Sequence, residues 1–304
     1  MGTAPVAIFV YNRLDTAIRV FSRVAEARPP VLLVIADGPR DDRPDDFIAC
    51  AAVREIVCNP TWKCDLRLNI SNRNLGLGAR FSSGLKWVFE EVEHAIILED
   101  DCLPDPTFFP YCEELLQRYA DDPRIMMISG DNYQSGRIRG PASYFCSHGV
   151  GTYGWATWDR AFALYDFQMR DWPTERNRNW LSQIWPAPDV AAYWRERFDE
   201  THAGYIDTWD YQWAFAMWRH NGMQVSPQKN LVSYIGCLPD AVHTVDASAP
   251  YCNQPTQSMD FPLVHPTSLR RNLAADVYEF YRIFLNKSHA EAIEAELTCP
   301  TSET

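Results

Sequence analysis

Residues 95 to 109 read "AIILEDDCLPDPTFF", so Glu99, Asp100 and Asp101 stand side by side where an apolar run ends. Neighbouring carboxylates repel, and the arrangement makes chemical sense if a positive charge is expected there. Hard divalent cations such as Mn²⁺ and Mg²⁺ take oxygen ligands, commonly one or two carboxylates with water and substrate phosphates. Side chains alternate along a strand, so Asp100 and Asp101 point opposite ways and only one of them touches such a metal directly. An isolated D-D pair is most often a solvated turn. Here the apolar strand before it and "CLPDP" after it favour a site.

Other residues carry chemistry of their own. Asp210, in "YIDTWDYQ", reads as the cap of the following helix, with Asp207 three residues before it. The chain has 11 Trp, most of them expected in the core. Trp155, Trp158 and Trp209 are the candidates for walls on which the apolar face of a sugar could stack. His243 lies in a loop that starts at a glycine, a place suited to a mobile lid.

The elements that must position these residues alternate over the first hundred positions. "PVAIFVYNR" and "VLLVIADGPR" are short apolar runs of the kind expected for strands covered on both faces, and "DLRLNI" and "HAIILEDD" read as two further strands. Between them lie a helix with Ile18, Phe21 and Val24 at helical spacing and Asp15 as its cap, one around 47–57, and one with Phe81, Leu85, Val88 and Val92 inward. This β-α order implies a parallel sheet with right-handed crossovers and helices on both faces. Ligands of such sheets collect beyond the carboxyl ends of the strands, which carry Tyr11 to Arg13, Asp37 to Pro39, Asn72 to Gly78 and the acidic triplet. The later sequence predicts a helix capped by Asp105 or Thr107, a strand "RIMMISG", an aromatic-rich stretch from Tyr144 to Trp218, a helix closing on Asn221-Gly222, and an amphipathic helix with Leu269, Leu273, Val277, Phe280 and Phe284.

Composition narrows the function. The net charge of −12 argues against nucleic acid and against a polybasic membrane surface, yet permits an anionic small molecule received by a metal or by local arginines. The nine cysteines contain no C-x-x-C and read as reduced, buried thiols of a cytoplasmic protein. "APVAIFVYNR" is too short and too soon polar for a leader, and no apolar run approaches the ~20 residues that span a bilayer.

The run "IILEDDCLPDPTFFPYCEELLQRYADDPRIMMISGDN" resembles the strand, E-D-D motif and helix of GT-A glycosyltransferases, above all the N-acetylglucosaminyltransferase I family. The likeness extends over roughly 5–245 and takes in Tyr153-Gly154-Trp155, Trp209-Asp210, Gly236 and His243. "VYNR" and "NRNLGLGARFSSGL" look more like bacterial family-2 glycosyltransferases. The resemblance implies a GT-A fold over 1–250, with a nucleotide-binding half to about 105 and an acceptor-binding half after it, and a C-terminal helical extension over 251–304. It implies an inverting, Mn²⁺- or Mg²⁺-dependent transfer of GlcNAc or a similar sugar from a UDP-sugar donor to a glycan acceptor. Asp37 would accept the uracil N3 hydrogen, Arg13 would flank the base or phosphates, and Arg80 would reach the diphosphate. Asp100 would face the ribose, Asp101 would bind the metal, Glu99 would face the donor sugar, His243 would touch the metal or diphosphate, and Asp210 would be the base, with Asp207 its nearest rival. A sugar-phosphate nucleotidyltransferase would carry G-x-G-x-R after the first strand, where this chain has "FVYNRLDT". A protein that binds a nucleotide-sugar without transfer is the other alternative. The terminal helix has three roles open to it: docking on the domain, pairing in a homodimer, or touching an acceptor at the inner face of a membrane. Docking is the default.

Overall fold

A computed structural model describes residues 4–237, 249–285 and 294. Its centre is an eight-stranded sheet in the order β3-β2-β1-β4-β8-β6-β9-β7. The strands are β1 (Val6–Val10), β2 (Val31–Ala36), β3 (Asp65–Ile70), β4 (His94–Glu99), β6 (Ile125–Ser129), β7 (Tyr144–Ser147), β8 (Trp155–Trp158) and β9 (Met223–Pro227). A small antiparallel pair, β5 (Cys102–Pro104) with β10 (Val232–Tyr234), stands apart. β1 to β4 are mutually parallel, β6 and β9 share their direction, and only β7 and β8 run against it. The mostly parallel GT-A-like sheet flanked by helices and followed by a short helical appendage is thus the architecture of this chain. The antiparallel β8, wedged between β4 and β6, was not anticipated.

Strand alternation divides the core in two. Val6, Ile8 and Val10 face one side, with the helices α1 (Leu14–Ala27), α2 (Pro44–Val57) and α4 (Phe108–Arg118). Ala7 and Phe9 face the other, where α3 (Leu77–Glu91), the short α5 (Asp159–Phe162), α6 (Trp172–Glu175) and α7 (Trp180–Ile184), then α8 (Pro188–His202), α9 (Asp210–Arg219) and α10 (Leu273–Glu279) pack. The first side is mainly aliphatic, whereas the second gathers Trp172, Trp185, Trp194, Trp213 and Trp218. Two buried faces explain why β1 and β2 read as unbroken apolar runs. β3, at the sheet edge, leaves Leu68 and Ile70 exposed.

Several expectations shift by local chemistry. α1 starts at Leu14 with no side-chain cap, so Asp15 lies inside its first turn rather than capping it. At α4, Thr107 is the N-cap residue without capping by side chain, because its hydroxyl is spent on Asp105 and on the Met259 amide. α9 does close at Asn221, in the left-handed region, with the Gly222 amide returning to Met217 O. α10 covers Leu273–Glu279 and runs into a π-turn at Phe280–Phe284, leaving Leu269 outside the helix. It is seated on β7, where the Asn272 amide donates to Cys146 O and Ser147 Oγ to Asp276. Docking of this segment therefore holds for its described part.

The thiols split into two groups. Cys50, Cys102, Cys112 and Cys146 are buried and free, as expected, and Cys58 and Cys64 are free and partly buried. Cys237 and Cys252 instead form a disulfide, which corrects the reading of all thiols as reduced. Its physical basis is that the chain returns alongside β10, with Tyr234 bridged to Cys252 and the Asn253 amide donating to Tyr234 O. Such bonds persist in oxidising compartments and are rare in a reducing cytosol. Among the described residues no helix is long and apolar enough to cross a membrane.

Candidate active site

The carboxyl ends of β1, β2 and β4 open into a cleft of about 590 Å³. It gathers Arg13, Asp37, Arg80, Glu99, Asp100, Asp101, Trp209 and Asp210 from the expected set, together with Asp207. Among the described residues of this lining, Asp37, Glu99, Asp100, Asp101, Asp207 and Asp210 are opposed by Arg13, Arg40 and Arg80. The cleft is short of positive charge.

The shortage centres on the end of β4. Arg13, just beyond β1, places Nη1 2.5 Å from Asp101 Oδ2 and Nε 3.9 Å from Asp100 Oδ1. Burial works to lower the Arg13 guanidinium, but the Asp101 and Asp100 charges overcome it and its pKa is raised. The Tyr11 amide donates to Asp100 Oδ2 at 2.9 Å. Burial still pushes Asp100 up to about 7, against the Arg13 charge and with that of Asp101. Glu99 is held well above its ordinary range by burial, then by Asp101 and Asp100, with Asp210 adding to them. One guanidinium does not offset three carboxylates.

Asp37 lies at the other end, at the mouth of β2. Its Oδ1 accepts the Gly38 and Leu75 amides at 2.8 and 3.0 Å, and its Oδ2 accepts Asn74 Nδ2 at 3.0 Å. Burial raises its pKa, opposed by those amides and by the Arg80 charge. Arg80 is itself buried and gives both terminal nitrogens to Asn69 on β3. Its guanidinium is thus tied beneath Asp37, and it would have to leave Asn69 to bond a diphosphate.

The two candidate bases are separated by what they touch. Asp207 Oδ1 accepts the Gly78 amide at 3.1 Å, at the start of α3, where Gly76 takes a φ of 80° and a Cβ on Gly78 would collide with that carboxylate. Asp210, the first residue of α9, accepts the Thr208 hydroxyl and, at 3.0 Å, the Tyr211 amide. Asp210 lies inside the first turn of α9 rather than capping it, since Trp209 is the N-cap residue and no side chain caps the helix, and it stands near Glu99, whereas Asp207 docks the start of α3.

The tryptophan walls need correction. Trp155 and Trp158 are buried and absent from the cleft lining, because β8 is an interior strand with both faces covered. Trp155 supports Trp209 at 5.5 Å between ring centres, and Trp158 donates its indole N–H to Leu116 O. Trp209 does reach the cleft, with its ring stacked at 3.9 Å on Phe81, which stacks in turn on Phe9. The wall near the acidic cluster is instead made of tyrosines: Tyr153 stacks on Tyr234 at 4.2 Å, with Tyr251 at 6.0 Å from Tyr153. They come from three distant segments, which no local signal joins. His243 lies outside the described residues.

Among the described residues no group of three or more His, Cys, Asp or Glu side chains is placed to hold a metal by itself. The donor set nevertheless suits a hard cation that shares its shell with substrate oxygens. The Asp101 carboxylate offers only oxygen, and Glu99 lies beside it on the same lining. Gly236 packs so closely on the Asp101 carboxylate that a Cβ there would collide with it.

No protein-family model and no curated protein matches this sequence. Solved structures do. A mannosyltransferase from Pyrobaculum calidifontis in complex with GDP-Man and Mn²⁺ matches with a TM-score of 0.36 and 13% identity over 54% of this chain. The match spans 46% of that enzyme's own length. The galactosyltransferase LgtC with donor and acceptor sugar analogues gives a TM-score of 0.36 and 11% identity over 70% of each chain. HddC from Yersinia pseudotuberculosis, complexed with GMP-PN, gives 0.31 and 9% over 52% of this chain and 77% of its own.

Proposed function

We propose that this chain is a divalent-cation-dependent, inverting glycosyltransferase that moves a sugar from a UDP-sugar, GlcNAc being the first guess, to a glycan acceptor. The observation that carries the reading is one cleft holding a carboxylate-rich β4 end, a buried aspartate at the mouth of β2, and a second aspartate on α9. A nucleoside diphosphate is itself an anion, so a cleft this acidic receives it only with a cation. Asp101 is the residue that would hold Mn²⁺ or Mg²⁺, with Glu99 facing the donor sugar, and the cation would supply Lewis-acid stabilisation of charge on a departing diphosphate.

The protein's own groups divide the remaining work. Asp37, with Asn74 and the Leu75 amide fixing it, is suited to a single charged hydrogen bond from a base N–H. Asp100 keeps the ribose side, Arg13 lies at hand for the phosphates, and Trp209 lines the cleft with its ring stacked on Phe81 and Trp155. Asp210 accepts the proton of the acceptor hydroxyl, a poor nucleophile until a base removes it. The Thr208 hydroxyl and Tyr211 amide aim that carboxylate. His243 is proposed as a further contact to metal or diphosphate.

Donor hydrolysis across UDP-, GDP- and dTDP-sugars, with and without Mn²⁺, tests the reading. Turnover confined to UDP-sugars with Mn²⁺ is expected. Equal turnover with chelator present, or none with any sugar nucleotide, contradicts it. In Asp210→Asn, donor binding should persist while turnover falls by roughly 10²–10⁴-fold; full turnover would move the base elsewhere.

A further inference from the structure

Arg13 does something in this structure that a nucleotide contact alone does not explain. Its guanidinium occupies the carboxylate that the proposed cation needs, at 2.5 Å from Asp101 Oδ2, and shares Asp100 with the Tyr11 amide. Asp100 and Asp101 are almost wholly buried, while the Arg13 side chain is 31% exposed and opens on the cleft. Of the three groups the guanidinium is therefore the one placed to move, since it alone reaches the open cleft while both carboxylates are held in the interior. Two cations cannot share one buried oxygen cheaply, so metal and Arg13 compete for Asp101.

We infer that Arg13 is a latch: it closes on Asp101 when the cleft is empty and opens when an anionic ligand gives it another partner, so that the cation and a diphosphate enter together. The inference rests on the transferase reading for the identity of the anion. Its physical content is population arithmetic: if the latch leaves Asp101 free about a tenth of the time, the apparent cation affinity is about tenfold below the intrinsic one. A diphosphate that engages Arg13 removes that penalty, and the benefit is reciprocal.

Mn²⁺ binding, followed by electron paramagnetic resonance of the free ion, separates this role from catalysis. Without nucleotide, Arg13→Met should bind Mn²⁺ at least about tenfold more tightly than the native chain. Arg13→Lys keeps the charge and the balance of the cluster but loses the rigid fork, so it should bind a few-fold more tightly, and it serves where the Met variant folds poorly. With UDP present, both proteins should gain from the diphosphate oxygens, and the native chain should gain about tenfold more than Arg13→Met, so that the two affinities converge. Mn²⁺ affinity no higher than native in either folded variant without nucleotide overturns the latch. Failure of UDP to bind any of the proteins, with the Mn²⁺ differences intact, would overturn the UDP reading and leave the latch standing.

Discussion

Two acidic sites lie on either side of Tyr11, and they are built in opposite ways. Its amide serves Asp100, and its hydroxyl serves Asp46 at 2.6 Å. Asp46 is a single carboxylate that also receives Asn12 Nδ2 at 2.8 Å and a two-pronged Arg40 at 2.6 and 3.0 Å. Those bonds, the Arg40 one first, hold its pKa well below the ordinary range despite burial. At the β4 end, three carboxylates share one arginine, and burial holds Asp100 and Glu99 above their ordinary range. The first site ties the loop after β1 to α2 and needs nothing more. The second is left unbalanced, and the proposed cation site rests on that imbalance.

The sharpest way to break the contrast is to remove Asp46. Asp46→Ala strips a buried carboxylate from Arg40, Tyr11 and Asn12, and should cost roughly 3 kcal/mol in chemical denaturation. A loss below about 1 kcal/mol would mean that the site is not the tie described.

Asp100→Asn should act the other way, through pH. The raised pKa means that the folded state holds a proton that the unfolded chain releases. Stability from that group is therefore full below the unfolded value near 4, and is lost as pH rises toward about 7. Between pH 5 and 8 the variant should gain roughly 2 kcal/mol on the native chain. Parallel pH profiles would contradict it.

The smallest effect belongs to Arg40→Met. Arg40 is 41% exposed, so solvent screens its pair with Asp46 and the expected loss is about 1 kcal/mol. The loss should shrink further in 1 M NaCl. A salt-independent loss of Asp46→Ala size would show that Arg40 packs rather than pairs.

The same contrast explains how much could be read in advance. Asp37, Glu99, Asp100, Asp101 and Arg13 were legible because parallel strands with both faces buried announce themselves as apolar runs, and polar residues straight after them fall on the ligand edge. Asp210 and Asp207 were legible as rival bases, but their different partners were not, since the contact of Asp207 with the start of α3 is a tertiary event. Trp155 and Trp158 misled because residue type says nothing about which strands end up interior. "WATW" between β4 and β6 has no outward face. Tyr153, Tyr234 and Tyr251 stayed invisible, as did the Cys237–Cys252 bond, because their meeting depends on the path of the chain after β10. Asp46 was equally hidden in "DDRPDD", one acid among four.

The central claim is that the Asp101 carboxylate brings a cation, and with it a nucleoside diphosphate, to the end of β4. Titration calorimetry of UDP into the native chain and Asp101→Ala, each with and without Mn²⁺, tests it most directly. Mn²⁺ should strengthen UDP binding to the native chain by about a hundredfold, near 2.7 kcal/mol, and leave Asp101→Ala unchanged. Equal Mn²⁺-dependent binding by the two proteins would contradict the account.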